Sequence, residues 1–256
     1  MFASDRTNPC ATLQAFAARR ADVHDVFRAV VGYRNWLVPA ATLTGHYGRT
    51  PARRVDYGPV AELPPGELWL FTDGDAAERA VAAGCHVGEL DTGLAGVELF
   101  AGPPPGLTAV RVNPVSPAEL TWNFPPEAFA PALAWAQVLR FELAVRGWSA
   151  GAAVDLAALA DYPQFEAFVF PNRTVLTMPE HGGLTNPAVV CTAPDCAKAI
   201  LHRVPEALRS QLQVVFTTGR ELLDKLPEQG MDGLMLNPAG PGPTFALRMP
   251  GPARRP

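Results

Sequence analysis

Lysine is the scarcest charged residue in this chain of 256 residues. Only Lys198 and Lys225 are lysines, and 21 Lys plus Arg stand against 25 Asp plus Glu, which gives a formal charge of -4. A protein that binds nucleic acid through bulk charge needs clustered basic residues, because each phosphate contact uses a Lys or an Arg. The composition therefore excludes that class, and we predict no nucleic-acid partner.

Long apolar runs are also missing. No stretch of about 18 or more uncharged apolar residues occurs, although 48% of the residues are apolar. The first residues, with Asp5, Arg6 and Pro9 among them, contain no apolar core of a secretion signal. We predict no membrane association and a cytoplasmic location.

Cysteine is scarce and scattered. The four cysteines, Cys10, Cys85, Cys191 and Cys196, are too few for a disulfide framework in a chain of this length. Cys191, Cys196 and His202 carry donor atoms that suit zinc. Their spacing is poor and a fourth ligand is not evident, so two small buried thiols are the alternative interpretation. We predict no metal and no cofactor.

Hydrophobic periodicity predicts an alternation of helices and strands. Apolar residues recur every three or four positions over residues 10–34, which predicts an amphipathic helix with a turn near 20–22. Gly and Pro dominate residues 44–66, which are predicted to be a loop. Further elements are predicted as strands at 36–39, 68–71, 85–90 and 109–112, helices at 76–83 and 92–100, and a long helix from 125 to about 146.

The second half of the chain repeats the order of the first. Four pairs of segments match in sequence: 37–39 with 168–171, 69–77 with 189–197, 92–93 with 218–219, and 112–114 with 236–238. The offsets of 132, 120, 126 and 124 residues require only small insertions, chiefly in the loop at 44–66. Ordered repetition indicates a duplicated module. We predict an α/β (α+β) fold of two similar modules, each a mixed β-sheet flanked by helices.

Domain boundaries follow from the repeat and from one linker. Gly147 to Gly151 end the long helix and separate the modules. The first module is predicted at 1–147, with an N-terminal helix and a C-terminal connecting helix. The second, diverged module is predicted at 152–248, and residues 249–256 form a flexible tail rich in Pro and Arg.

These residues resemble the enhanced serine sensitivity SseB-like proteins, a family also labelled type III secretion SseB-like. The resemblance covers about residues 10–122, through the N-terminal helix, the strand at 36–39, the strand and turn at 70–73, and the strand end at 110–114. A weaker second copy covers about 165–248. The shared motifs are structural, and the resemblance implies cytoplasmic domains without an established reaction. This chain departs from the usual family pattern in its long loop at 44–66 and in carrying two tandem copies.

Three aspartates near predicted strand ends are candidate ligand or partner residues. Asp73 and Asp75 resemble a metal-binding pair, but a loop before a helix also favours Asp as an N-cap. Asp91 opens an Asp-Thr-Gly sequence like that of aspartic proteases, where two aspartates share a proton. The second copy has no matching carboxylate, so only a homodimer would complete the pair. The alternative is that Asp91 or Thr92 caps the next helix.

An arginine cluster and one tryptophan are the remaining candidates for partner contact. Arg49, Arg53 and Arg54 lie in the predicted loop, either as solvated charge or as a contact for an acidic partner, since guanidinium pairs with carboxylates through two parallel bonds. Trp148 lies at the module boundary, where it either packs between the modules or forms an exposed anchor.

Two Asn-Pro pairs are predicted to be structural turns. Asn113-Pro114 and Asn237-Pro238 each follow an apolar strand. Proline pushes the preceding residue towards extended geometry, so we expect each Asn to end its strand and to bond its own turn. Replacing either Asn by Ala is then expected to cost about 1 kcal/mol, as for one lost hydrogen bond.

Two functions of different classes follow. The first is a non-enzymatic cytoplasmic interaction protein, an adaptor, chaperone-like or regulatory factor, which binds another protein through exposed edge strands or a groove, with a homodimer as one form. The second is an enzyme or small-ligand sensor with Asp73, Asp75, Asp91 and Asn113 in a cleft between the modules. The five histidines lie near no nucleophile motif, which favours the non-enzymatic hypothesis.

Overall fold

A computed structural model describes residues 8–43, 53–59, 62–103, 106–179 and 183–248. The chain divides into two compact units, Met1–Leu139 and Arg140–Pro256. About 41% helix and 23% strand, in mixed and antiparallel sheets flanked by helices, confirm the predicted α/β class. Arg49 and the predicted tail at 249–256 lie outside the described residues.

The described residues of the first unit form six strands. Its elements, in chain order, are α1 Cys10–Ala17, α2 Val23–Gly32, β1 Trp36–Pro39, α3 Ala40–Leu43, β2 Arg53–Asp56, β3 Glu67–Leu70, α4 Gly74–Ala82, β4 Glu89–Leu94, α5 Gly96–Ala101, β5 Ala109–Val112, β6 Trp122–Phe124 and the first half of α6 Phe129–Ser149. Short 3-10 turns at Ala118–Leu120 and Pro126–Ala128 flank β6. The predicted break between the first two helices is confirmed.

Five strands are formed by the part of the second unit that the structure describes. After the second half of α6 come α7 Leu156–Ala160, β7 Phe165–Val169, β8 Pro187–Cys191, α8 Pro194–Arg203, α9 Glu206–Arg209, β9 Gln213–Thr217, α10 Gly219–Glu228, β10 Gly233–Leu236 and β11 Phe245–Arg248.

The two units share one strand order and one pattern of strand directions. In the second unit the order is β11-β10-β8-β7-β9, with only the β8–β10 pair parallel. In the first unit β6-β5-β3 and β1-β4-β2 form two sheets, joined by a bridge between Leu37 and Phe71, and only the β3–β5 pair is parallel. The first unit thus carries the same arrangement plus β2.

Strand β2 lies in the segment that the sequence predicts to be a loop, so that prediction is wrong for residues 53–56. Arg53, Arg54 and Asp56 make the segment too polar to be read as a strand, but it pairs antiparallel with all of Glu89–Thr92 on β4. Arg54 donates to Asp91 at 2.7 Å and to Glu89 at 3.1 Å. Arg54 of β2 is therefore paired with both carboxylates of the strand beside it.

Matched hydrogen bonds correct the alignment of the two halves. The hydroxyls of Tyr33 and Tyr162 donate to the carbonyls of Thr72 and Thr192 at 2.8 and 2.6 Å. The N–H groups of Gly96 and Gly219 donate back to the carbonyls of the same tyrosines. These pairs give offsets of 129 and 123 residues instead of the predicted 132 and 126, while the offsets of 120 and 124 at Thr72 and Asn113 agree with the prediction.

The unit boundary lies inside α6, before the predicted linker at 147–151. The second half of this helix packs within the second unit, because the ring of Phe141 stacks on Tyr162 at 4.2 Å and meets Phe165 at 5.5 Å. Trp148 is buried between Phe141 and Phe245, at 5.7 and 5.9 Å. Trp148 is thus a core residue of the second unit, and its predicted role as an exposed anchor is wrong.

One helix among the described residues, Pro126–Ser149, is long and apolar enough by length and composition to cross a membrane, with a mean hydropathy of 1.2. The core helix of a globular protein meets the same criterion. The cytoplasmic location stays a prediction.

Each unit buries an apolar core between its helices and its sheet. In the first unit Phe71 and Leu90 pack against the alanines of α4, which are small enough to bring that helix close to the strands. In the second unit Phe168, Val189 and Cys191 pack against Cys196 and Ile200 of α8. The two cores hold in place the ends of the strands and the edges of the sheets.

Candidate functional site

Thr72 lies at the centre of a buried polar cluster in the first unit. Its hydroxyl is 3.0 Å from Asp73 Oδ2, 3.1 Å from Asn113 Oδ1 and 3.4 Å from Cys10 Sγ. The backbone N–H of Thr72 donates to Asn113 Oδ1 at 2.9 Å. Asp73 and Asn113, two of the four polar residues predicted to converge, therefore meet at Thr72.

The second unit contains the same arrangement, which we call the Thr–Asn lock. Thr192 donates its N–H to Asn237 Oδ1 at 2.9 Å, and its hydroxyl contacts Glu142 Oε1 at 2.7 Å. Glu142 takes the place that Cys10 has in the first unit. Asn113 and Asn237 are both fully buried. Because the lock ties the end of one strand to the next strand in both units, we interpret it as structural.

The backbone of the two asparagines differs from the prediction. Asn113 and Asn237 have φ values of 46° and 45°, in the left-handed region, and not the extended geometry expected before proline. Asparagine tolerates this region better than most residues. The conformation lets each side chain bond the N–H of a threonine at the end of the neighbouring strand, while Nδ2 donates to the carbonyl of Leu120 or Pro243 at 3.1 or 3.3 Å. The pairs end their strands as predicted, by a different geometry.

Asp73 is the N-cap of α4. Its Oδ1 accepts the N–H of Ala76 at 2.9 Å, and its Oδ2 accepts from Asn8 at 3.2 Å. This geometry confirms the capping alternative for Asp73. Asp75 lies exposed in the first turn of the same helix. Over the part of the chain that the structure describes, no group of three His, Cys, Asp or Glu could hold a metal ion.

Asp91 lies within strand β4. It is neither a helix cap nor a residue of a protease-like loop, so both interpretations of it are wrong. Helix α5 begins at Gly96, five residues later, with Ala95 as its N-cap. The carboxylate of Asp91 is buried and pairs with Arg54. The guanidinium of Arg54 is thereby engaged inside its own unit. Arg53 is exposed, and its carbonyl accepts a hydrogen bond from Thr92 at 3.0 Å.

The two cysteines of the second unit are buried core residues. Cys191 and Cys196 are fully buried, and burial raises the pKa of the Cys191 thiol well above its usual range. His202 is exposed in the last turn of α8. The alternative interpretation of two small buried thiols is confirmed.

The exposed edge of the second unit is the most distinctive surface among the described residues. Strand β9 pairs on one side with β7, and the described residues contain no strand on its other side. Phe216 is 66% exposed and Val214 is 39% exposed, which makes Phe216 the most exposed large apolar side chain in that part of the chain. None of the five residues from Gln213 to Thr217 is charged.

An uncharged open edge is unusual, because sheet edges are commonly protected by charged residues or by covering segments. The first unit shows such protection at the same place. There β4 is covered by β2, and β2 itself exposes Arg53, Arg54 and Asp56. Among the described residues of the second unit, β9 has neither feature. We therefore take Gln213–Thr217, called the β9 edge from here on, as the candidate site.

A groove of about 250 Å³ adjoins the β9 edge. It lies between α10 and the β7–β9 pair, with an apolar wall that includes Val169, Val215 and Leu222 and a polar rim that includes Glu221 and Lys225. Pockets for drug-sized ligands usually measure about 300–1,000 Å³. The groove therefore suits one or two side chains of a partner better than a cofactor.

Glu166 is a buried carboxylate beside the β9 edge. It is opposite Phe216 in the β7–β9 register and opposite Cys191 in the β7–β8 register. Burial, followed by the negative charge of Asp195 on α8, raises the pKa of Glu166 to about 7. The equivalent residue of the first unit is Leu37, which is opposite Phe71. An ionisable group thus occupies a position that is apolar in the other copy.

This carboxylate makes the stability of the second unit depend on pH. Between pH 4.5 and about 7 the folded state keeps a proton that the unfolded chain has released, so the free energy of unfolding is expected to fall as pH rises. The loss should reach about 2–3 kcal/mol and level off above the folded pKa. Glu166→Gln should remove this slope and stabilise the protein at pH 8, as measured by urea unfolding at several pH values.

Glu228→Gln is the control, since Glu228 is exposed on α10 of the same unit. It should keep the slope of the wild type. An equal slope in the Glu166→Gln variant would show that this carboxyl does not titrate in the range given.

No protein-family model, curated protein or solved structure matches this chain. The resemblance to SseB-like proteins therefore stays a prediction.

Sequence reasoning missed the residues of this surface. Glu166 and Phe216 are 50 positions apart and meet only through strand pairing. One signal was present: strand 213–217 lacks charge, whereas Glu89 and Asp91 mark its counterpart β4.

Proposed function

We propose that this chain is a protein-interaction module whose second unit binds an extended segment of a partner at the β9 edge. The added segment pairs with β9 by backbone hydrogen bonds and covers Phe216 and Val214. Strand addition of this kind obtains affinity from the main chain and specificity from alternate side chains. The observation that carries the proposal is the uncharged β9 edge, open among the described residues and exposing Phe216.

The first unit supplies a geometric precedent. Strand β2 adds antiparallel to β4 at the position where a partner strand adds to β9, and four residues on each strand are in register. A short segment is thus long enough to complete this type of sheet. The groove between α10 and the sheet adds a place for a side chain of the added segment.

Three of the four residues named for the enzyme or ligand-sensor alternative bond inside the first unit. Asp73 caps α4, Asn113 bonds Thr72, and Asp91 pairs with Arg54. These bonds favour a structural role for all three, and the interaction function is the better supported of the two hypotheses.

The test uses the tagged full chain as bait in an extract of its own cell. Phe216→Lys places a charge in the middle of the β9 edge, so it should lose a protein that the wild type retains at a fixed ratio. Leu208→Lys is the matched control, because Leu208 is 43% exposed on α9 of the same unit and should tolerate the change.

The retained protein is either another polypeptide or an untagged second copy. Amide hydrogen exchange of the complex should then show slower exchange in residues 213–217 than in the free chain. A retained protein that Phe216→Lys binds equally well, without added protection of β9, would place the interaction on another surface.

A further inference from the structure

We propose that the strand that adds to the β9 edge is β9 of a second copy of this chain, paired antiparallel about a two-fold axis. This inference rests on the proposed function and names the partner for its site. The result is a homodimer in which two five-stranded sheets become one continuous sheet of ten strands. A two-fold interface uses the same patch on both copies, so the patch must fit itself.

Charge is the first reason for a second copy. In the first unit β4 carries Glu89 and Asp91 and is covered by a strand that supplies Arg54. The five residues of β9 carry no charge, so the strand itself offers no ion pair to a basic or acidic strand. An uncharged segment rich in apolar residues matches it best. The same strand of another copy meets this requirement and brings no like charges together.

Register is the second reason. Centring the two-fold axis on Val215 pairs all five residues of each strand: Gln213 with Thr217 of the second copy, Val214 with Phe216, and Val215 with itself. Each Phe216 then faces a Val214, and aromatic with β-branched neighbours are favourable cross-strand pairs. Centring the axis on Val214 or Phe216 pairs only three residues and leaves part of the apolar surface open. A slip of one residue puts side chains on opposite faces of the sheet.

The interface also explains the exposed pattern of β9. Phe216 and Val214 project from the same face of the strand, and both become covered by their counterparts. Val215 lies on the other face and lines the groove beside α10, where it meets its own counterpart. A single pair of short strands buries little area, so we expect a dimer that dissociates on dilution.

The first experiment is analytical ultracentrifugation of the purified full chain over a range of concentrations. The wild type and Leu208→Lys should show a reversible monomer–dimer equilibrium. Phe216→Lys, which places two ammonium groups in the paired strands, should weaken dimerisation at least about tenfold. Circular dichroism of each variant checks that the fold is kept.

The second experiment tests the register. Val215→Cys should form a disulfide-linked dimer under mild oxidation, because directly opposed residues of antiparallel strands have Cα atoms about 4.5–5.5 Å apart. Gln213→Cys is the matched control: it is opposite Thr217 of the second copy and should cross-link no more than the wild type, which carries the same four native cysteines.

The outcomes separate this inference from the proposed function. A wild type that stays monomeric at all concentrations overturns self-pairing. If the extract then yields another protein that Phe216→Lys loses, strand addition at the β9 edge stands with a different partner. A dimer that Phe216→Lys leaves intact, with equal cross-linking of both cysteine variants, lies on another surface and overturns the inference.

Discussion

Replacing Gly219 by alanine is expected to destabilise the second unit by more than about 4 kcal/mol, a large part of the stability of a typical domain. Gly219 is the first residue of α10, and its N–H donates to the carbonyl of Tyr162 at 3.0 Å. A Cβ atom at this position would overlap the carbonyl oxygen of Leu159 at the end of α7. Backbone atoms on both sides prevent relief by a change of rotamer. Thermal or urea unfolding, followed by near-UV circular dichroism, measures the loss.

Two other glycines supply the controls. Gly96 has the same position in the first unit, where a Cβ would lie 2.6 Å from the carbonyl oxygens of Val30 and Val31, so Gly96→Ala should destabilise that unit. Gly147 lies within α6, and its added Cβ would meet Ala152 at an ordinary 3.8 Å. Gly147→Ala should therefore be neutral or stabilise by up to about 1 kcal/mol. A Gly219→Ala variant as stable as Gly147→Ala would contradict the close approach of α10 to α7.

The class of fold could be predicted from sequence, because apolar runs, turn residues and periodicity are local. The errors lie where a partner strand decides the outcome. The segment Arg53–Asp56 becomes a strand because it pairs with β4, where Arg54 meets the carboxylates of Glu89 and Asp91. Asp91 has the chemistry of a helix cap, yet α5 begins at Gly96, where a glycine allows the backbone to approach Val30 and Val31. Local preference yields to tertiary pairing at both places.

Less of the candidate site could be predicted. The Asn-Pro pairs were found because they recur at matching positions, and Thr72 and Thr192 lie in another pair of matched segments. The bonds between the two sets were not predicted, because each threonine follows the neighbouring strand and meets its asparagine only in the folded sheet. Glu166 is flanked by apolar residues on β7, and its raised pKa depends on Asp195 of α8. From sequence alone, a phenylalanine in an apolar strand such as Gln213–Thr217 is expected to be buried in the core. Only the strand order places Phe216 at an open edge.

Replacing Asn237 by alanine is expected to cost about 3 kcal/mol, more than the 1 kcal/mol that a single lost hydrogen bond suggests. The Asn237 side chain accepts the N–H of Thr192 at 2.9 Å and donates to the carbonyl of Pro243 at 3.3 Å, and all its atoms are buried. Its loss leaves a buried N–H without its acceptor, which costs about 1–3 kcal/mol. Alanine must also adopt φ near 45°, which costs a further 1–2 kcal/mol. Asn113→Ala should behave alike in the first unit.

The variant Asn237→Gly separates the effect of the lost hydrogen bonds from the strain of the left-handed backbone. Asn237→Gly loses the same hydrogen bonds but adopts a positive φ without strain, so it should be about 1 kcal/mol more stable than Asn237→Ala when both are measured by urea unfolding. Thr192→Val removes the hydroxyl, which contacts Glu142 and accepts from Asn237 Nδ2, and keeps the N–H bonded to Asn237, so it measures the contribution of the hydroxyl alone. If alanine and glycine at position 237 were equally destabilising, the left-handed backbone would contribute nothing. If both cost less than Thr192→Val, the hydroxyl of Thr192 and not the side chain of Asn237 would hold the strand ends together.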